Sequence, residues 1–205
     1  MFHVKQFQEM TGVNNNTLQR LQVYAELLEK WQKKINLVSS NTIADLWIRH
    51  MLDSAQLLPL LPRRKCTVLD FGSGAGFPGL VLAILGGPQV TMVESDSRKC
   101  AFLAEAVRKT EAGPLVRLQN CRIEDLPSGP VDVVISRGLA SLGKLLVYAE
   151  PFLRQDSMCL FLKGKKADEE LTQTQKNWMM QVTKIQSLSN PSGTILKLEN
   201  VKRQE

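Results

Sequence analysis

Four glycines fall within eight positions, at Gly72, Gly74, Gly76 and Gly79, directly after a short apolar run that carries Asp70 and Phe71. Glycines let a backbone approach a ligand closely, because they admit positive φ and carry no Cβ. Gly74 to Gly79 also fits G-x-G-x-x-G, the pattern of a dinucleotide-binding turn between a strand and a helix. Two details argue against a pyrophosphate there. Asp70 places a carboxylate at the tip of the preceding strand, where it repels phosphate but can accept hydrogen bonds from an ammonium or order water beside one. Pro78 removes one amide donor from the first helical turn, and a phosphate cradle depends on such donors.

A ligand that suits these residues better is S-adenosylmethionine, which has no phosphate and carries an α-ammonium and a sulfonium. Glu94 closes the next apolar run, about twenty residues on, where an acid can bind both ribose hydroxyls. That feature would serve a nicotinamide dinucleotide equally well. Arg122-Ile-Glu-Asp125 follows the third apolar run. In a methyl-donor site Ile123 would pack on the adenine, with Glu124 or Asp125 at its amino edge; alternatively this is an ordinary turn whose acids cap a helix. The residues favour the methyl donor, and a nucleotide site and an empty loop stay open as alternatives.

The elements that must hold these groups can be read from periodicity. Apolar residues from Leu18 through Leu21, Ala25, Leu28 and Ile35 repeat at about 3.6, as on a helix. A second helix is predicted to start at Thr42, with Thr42 and Asp45 as a capping signal, and to end near residue 58, before Pro59 and Pro62. Beyond residue 63 strands alternate with helices. Strands are predicted at 67–71, 90–94, 115–119, 131–136 and 158–162, and helices at 77–85, 97–109, 142–152 and 168–180. Two last strands, 182–188 and 194–201, flank a Ser-Asn-Pro-Ser-Gly turn. This order predicts an α/β fold with a seven-stranded, mostly parallel sheet whose last strand is antiparallel. A helical cap would cover residues 1–63 and the α/β domain residues 64–205, forming one compact unit.

Bulk properties narrow the class. The 205 residues are 43% hydrophobic, which excludes a disordered chain, and carry a formal charge of +6, which fits a polyanionic partner. Cys66, Cys100, Cys121 and Cys159 have spacing suited neither to zinc nor to a disulfide framework, so buried free thiols in a reducing compartment are expected. The start, MFHVKQFQEM, lacks a signal-peptide core, and the longest apolar run, 76–87, is too short to span a bilayer. A soluble cytoplasmic monomer without metal is the expectation.

Several separated segments together resemble the ribosomal RNA small subunit methyltransferase G family, also called glucose-inhibited division protein B. They are Trp31-Gln-Lys-Lys-Ile-Asn-Leu37, Arg49-His-Met-Leu-Asp-Ser54, the stretch from Asp70 to Gly79, Glu94-Ser95, Arg122-Ile-Glu124, Ile135-Ser-Arg137 and Leu162-Lys-Gly-Lys165. The resemblance implies a Rossmann-like class I S-adenosylmethionine-dependent methyltransferase. It implies methylation at N7 of a guanine, guanine 527, in the 530 loop of 16S rRNA of the small ribosomal subunit. By motif position the donor would be held by Asp70, Gly72, Gly74, Gly76, Phe77, Glu94, Ile123, Glu124 and Arg137. Ser73, Ala75 and Gly138 depart from residues common in the family, and the end of the chain lacks the basic tail of some members.

The chemistry agrees with the residues. Guanine N7 has a free lone pair, so its methylation needs no general base, nucleophilic cysteine or metal. The sequence lacks both [DN]-P-P-[YF], typical of exocyclic amine methylation, and a Pro-Cys motif for cytosine C5 chemistry. Arg137 is a candidate for placing the target nucleotide, with a structural ion pair as the alternative. Arg49, Lys163 and Lys165 are candidate RNA contacts. Lys30, Lys33, Lys34, Arg63, Arg64 and Lys65 could form a footprint for rRNA phosphates. Arg49, His50 and Asp53 are spaced to pair along one helix, with His50 or Asp53 expected to hydrogen-bond the glycine loop. Trp31 is expected in the core. The rival readings are a nicotinamide-dependent oxidoreductase on the same fold and a non-catalytic RNA-binding factor of ribosome assembly.

Overall fold

A computed structural model of the chain describes residues 4–62 and 65–204. Two helices begin it, α1 (Val4–Thr11) and α2 (Asn15–Gln32). Asn14 caps α2 by accepting the Thr17 amide at 2.8 Å, which satisfies one of the donors that a helix start leaves over. At the other end the Gln32 side chain accepts the amides of Leu37 and Val38 and donates to the Val38 carbonyl, so it substitutes for the helix that has stopped.

The second predicted helix is the first correction. Residues Ser40–Thr42 form a 3₁₀ turn, Trp47–Leu52 a π-helix, α3 spans only Asp53–Ala55, and Leu58–Leu60 return to 3₁₀. Thr42 caps nothing. Its hydroxyl donates to the Ser39 carbonyl at 2.7 Å and meets His50 Nε2 at 2.8 Å. Tertiary demand on His50 thus outweighs the local capping signal. Single π-turns of this kind recur at functional sites.

The α/β part follows as β1 (Thr67–Phe71), α4 (Gly79–Ile84), β2 (Gln89–Val93), α5 (Ser97–Lys109), β3 (Val116–Gln119), β4 (Val133–Arg137), α6 (Leu142–Ala149), β5 (Met158–Lys163), α7 (Ala167–Thr174), β6 (Trp178–Gln186) and β7 (Thr194–Arg203). The sheet order is β3-β2-β1-β4-β5-β7-β6. The first five strands are parallel, and β7 runs antiparallel to both neighbours. The helix predicted at 168–180 ends at Thr174, because Trp178 already opens the β6 ladder opposite Arg203. Trp178 is buried beneath the Arg203 guanidinium, and a strand edge of nine residues outweighs another helical turn.

Strand alternation sends Val68 to a core shared with α2, α4 and α5, and Leu69 and Phe71 to one shared with α6 and β7. Asp70 lies on the Val68 face and is fully buried beneath the start of α4. There the Gly79 amide donates to Asp70 Oδ2 at 3.2 Å, and a Cβ on Gly79 would stand 2.6 Å from that oxygen and 3.0 Å from Val90 Cγ1. Gly79→Ala should therefore lower unfolding free energy by about 1–3 kcal/mol, the usual range for overpacking. Urea denaturation measures this, and an unchanged midpoint would show that the contact is slack.

Candidate active site

The glycine turn closes on itself and on the sheet. Ser73 donates its amide to the Val93 carbonyl at 3.0 Å, and Gly76 and Phe77 donate theirs to the Ser73 carbonyl at 2.7 and 3.2 Å. Gly74 has φ +58 and Gly76 φ +94, backbone conformations that disfavour any side chain. At Gly76 the reason is also spatial, since a Cβ there would lie 2.8 Å from the Tyr24 hydroxyl. That hydroxyl donates to the Ala75 carbonyl, so the cap holds the turn directly. Gly72, at φ +63, lies under Leu139 of the loop after β4.

Glu94 stands at the end of β2 and is buried. Its Oε2 accepts the Gly74 amide at 2.9 Å and its Oε1 the Asp96 amide at 2.8 Å. A carboxylate oxygen can accept two hydrogen bonds, so both retain capacity for a diol.

Asp70 does not face a ligand, which corrects the expectation that it would meet an ammonium. Its side chain has no exposed surface. Oδ2 takes the first amide of α4, and the Ser73 hydroxyl goes to the Asp70 main-chain carbonyl at 3.2 Å. Oδ1 is buried with no hydrogen-bond partner. Burial pushes the carboxyl up to about 7, against the lowering influence of Ser73, the Gly79 amide and Arg137. A buried carboxyl thus takes one of the amides at the start of α4 from inside the protein.

Phe77 is likewise turned inward. Its ring lies 5.3 Å from Tyr24, 5.0 Å from the His50 imidazole and 4.9 Å from the Arg137 guanidinium. It joins the cap to the glycine turn. Ile123, in the 3₁₀ turn Ile123–Asp125, is half-buried, and Glu124 beside it is exposed and accepts the Tyr148 hydroxyl at 2.8 Å.

Arg137 ends β4 and is gripped by the cap. It donates to His50 Nδ1 at 2.9 Å, to the Arg49 carbonyl at 3.3 Å and to Asp53 Oδ2 at 3.4 Å. Asp53 therefore pairs with Arg137 and not along its own helix with Arg49 or His50, and neither His50 nor Asp53 hydrogen-bonds the glycine turn. Because a guanidinium only donates, His50 Nδ1 accepts and its Nε2 carries the proton toward Thr42. Burial, then Arg137 and Arg49, hold the imidazole down to about 3. Asp53 Oδ1 also accepts from the Ser189 hydroxyl and from Gln56 at 3.0 Å. Gln56 in turn accepts the Leu188 amide at 2.7 Å and donates to Ser187 Oγ at 3.2 Å. Sequence reasoning passed over Gln56, Ser187 and Ser189, whose partners lie more than 130 residues away and leave no local signal.

Lys163, expected to contact RNA, is committed elsewhere. Its buried ammonium donates to the Ala140 carbonyl at 2.8 Å and pairs with Glu170 at 2.7 Å. Glu170 also accepts the Leu142 amide, so β5, α6 and α7 meet there. Lys165 is exposed, as are Arg49, Lys30, Lys33, Lys34 and Lys65. Arg63 and Arg64 lie outside the described residues. Trp31 donates to Glu105 at 2.8 Å and packs on Phe102, as expected of a core residue.

A cavity of about 540 Å³ opens beside Arg137 at the carboxyl ends of β4 and β5. A larger one, about 660 Å³, lies between the α1–α2 junction and Leu188, away from the glycine turn and without a titratable side chain in its lining. Among the described residues no cluster of His, Cys, Asp and Glu could hold a metal, and no helix is long and apolar enough to cross a membrane. Burial raises the thiols of Cys100 and Cys159.

Two buried groups give opposite pH dependence. His50 takes up its proton near pH 3 in the folded chain but near its ordinary 6.5 when unfolded, so stability falls as pH drops through that window. The Asp70 carboxyl protonates near pH 7 when folded and near 3.8 when unfolded, so stability falls as pH rises between those values. Each slope reaches about 1.4 kcal/mol per pH unit, and they oppose one another. Asp70→Asn should unmask His50, so that the variant's unfolding free energy rises with pH between about 4 and 6.5 more steeply than the parent's. His50→Gln should do the reverse. Urea titrations at several pH values check both, and parallel profiles for all three proteins would refute the assignment.

The arrangement has counterparts among known proteins. The Ribosomal RNA small subunit methyltransferase G of Paramagnetospirillum magneticum is 51% identical over 193 residues, covering 94% of this chain and 93% of the relative. That of Rhodospirillum rubrum is 51% identical over 191 residues, with 93% and 94% covered. Among solved structures, the ribosomal protein L11 methylase of Lactobacillus delbrueckii subsp. bulgaricus matches with a TM-score of 0.57 at 16% identity, over 75% of this chain and 77% of its own. P. horikoshii TYW2, solved in complex with MeSAdo, matches with a TM-score of 0.56 at 16% identity, over 75% and 62%. These distant likenesses establish the class I methyltransferase fold. The family profile described as rRNA small subunit methyltransferase G, GidB, matches residues 17–197, and with relatives this similar along nearly the whole chain, the protein belongs to that family.

Proposed function

We propose that the protein transfers a methyl group from S-adenosylmethionine to N7 of a guanine in the 530 loop of 16S rRNA, guanine 527. The observation that carries the donor assignment is the Asp70 carboxyl seated on the Gly79 amide. It takes an amide at the start of α4 and puts an acidic group beneath the turn, which disfavours the phosphates of a nicotinamide dinucleotide there. The Glu94 carboxylate, buried against the Gly74 amide with acceptor capacity left over, supports a ribose diol as its ligand. We assign Gly72, Gly74, Gly76 and Glu94 to the donor's backbone and sugar, and Ile123 and Glu124 to its adenine. Asp70 and Phe77 brace this wall from behind, and Arg137 joins it to the cap.

The bound donor supplies an electrophilic methyl on sulfur. The chain's own part is alignment, which in well-oriented cases is worth up to about 7–11 kcal/mol. It also supplies a suitable electrostatic wall. Positive charge passes to the purine, and the cations nearby are compensated: Lys163 by Glu170, Arg137 by Asp53, while His50 stays neutral. The family and the intact glycine turn favour an active enzyme over a non-catalytic assembly factor. We further propose that the cap, 1–63, and the domain 64–205 act as one unit, since residues of α2 and α4 share one core, and that the protein works as a cytoplasmic monomer on small-subunit rRNA.

Nucleoside mass spectrometry of 16S rRNA tests the reading: a strain lacking the protein should lose 7-methylguanosine from the 530 loop, and its retention there would defeat the proposal. Glu94→Ala should weaken S-adenosylhomocysteine binding about tenfold or more by calorimetry, because the charged acceptor for both ribose hydroxyls is lost. NADH binding by the parent protein, without S-adenosylhomocysteine binding, would favour the oxidoreductase.

A further inference from the structure

The antiparallel placement of β7 has a geometric result. Thr194 pairs with Lys163, so the turn between β6 and β7 rises at the carboxyl end of β5, the side on which an α/β sheet binds its ligands. The glycine turn and Glu94 take the ends of β1 and β2. The ends of β4 and β5 carry the 540 Å³ cavity, walled on one side by Arg137 and on the other by Ser187, Ser189, Asn190 and Thr194 of the turn. Arg137 is shared, because it touches Phe77 of the glycine turn and also lines this cavity.

Resting on the methyltransferase reading above, we propose that this cavity seats the target guanine after it leaves the RNA stack, with Asn190 reading the base edge and Arg49 holding the adjoining phosphate. Leu37, Val38, Leu162 and Ile195 supply apolar walls of the kind that flank a flipped base. The Asn190 Oδ1 is occupied by the Ser192 amide at 3.1 Å, and its NH₂ has no hydrogen-bond partner among the described residues. A free amide donor suits guanine O6, which adenine lacks. At the rim the exposed Arg49 guanidinium has no carboxylate within ion-pair distance among the described residues, whereas Arg137 and Lys163 are both compensated. An uncompensated arginine outside and compensated cations inside fit a phosphate at the mouth and a purine that becomes cationic within. The turn is also held in place: Asp53 and Gln56 of the cap bind Ser189, Ser187 and the Leu188 amide. A cavity wall anchored in this way is pre-organised for a ligand.

Small ribosomal subunits from a strain lacking the protein provide the assay. Asn190→Asp keeps an acceptor for the Ser192 amide and removes the NH₂ donor, so the turn survives. It should lower kcat/KM for subunits about tenfold or more. Arg49→Gln should raise KM for subunits and reduce the logarithmic salt dependence of binding by about one unit. Neither variant should alter the thermal shift given by S-adenosylhomocysteine. Unchanged kcat/KM in both variants would overturn the cavity assignment. So would loss of S-adenosylhomocysteine binding in step with methylation, which would assign the turn to the donor side. Parent protein that binds S-adenosylhomocysteine and leaves subunits unmethylated would instead overturn the rRNA reading, and the cavity assignment with it.

Discussion

The guanidinium of Arg137 is the joint through which the carboxyl edge of the sheet holds its shape. It stacks on Phe77, donates to His50 Nδ1 and the Arg49 carbonyl, and pairs with Asp53. Through Phe77 it fixes the glycine turn, and through Asp53 it reaches Ser189 and the β6–β7 turn. A planar group with five donors can satisfy several acceptors at once, which a lysine at the same place could not do. The π-turn at Trp47–Leu52 belongs to the same joint, because it carries His50 and leads into Asp53, both of which face the strand end.

The buried charges follow one pattern. Three of them are bonded to or compensated by a neighbour, or held in a neutral form by their surroundings. Asp70 sits on a helix amide with its carboxyl raised, His50 is kept neutral between Thr42 and Arg137, and Lys163 is neutralised by Glu170. Leaving any of these unpaired in a low-dielectric interior would be costly. In the proposed reaction the same pattern would help, because a purine acquiring positive charge would face Lys163 and Arg137 already paired with carboxylates. The excess of basic residues stays on exposed positions such as Lys30, Lys33, Lys34 and Lys165, where it can act on a polyanion at long range.

The glycine turn, the acid after the second strand and most of the fold were legible because their signals are local. The strands at 67–71 and 158–162, the helix at 97–109 and the glycine turn all come from contiguous residues whose own periodicity and backbone needs set their structure. The helix expected from Thr42 was misread because a capping pattern was outcompeted by a hydrogen bond to His50. The helix expected through Met180 was cut short by a β ladder whose partner strand lies some twenty residues downstream. Local propensity amounts to only tenths of a kcal/mol per residue, so strand pairing and buried polar contacts override it.

The sequence by itself determined the alternating architecture, the glycine turn after the first strand, the acid after the second, and the family. Only the tertiary structure decided what the charged residues do. Asp70 turned out to brace a helix start and not to meet a ligand. Asp53 found Arg137, 84 residues away, in place of its helical neighbours, and Lys163 was neutralised by Glu170. A side chain's type limits what it can bond, but its partner is set by which strand ends and turns the sheet order brings together, and that order is not written at any one position of the chain.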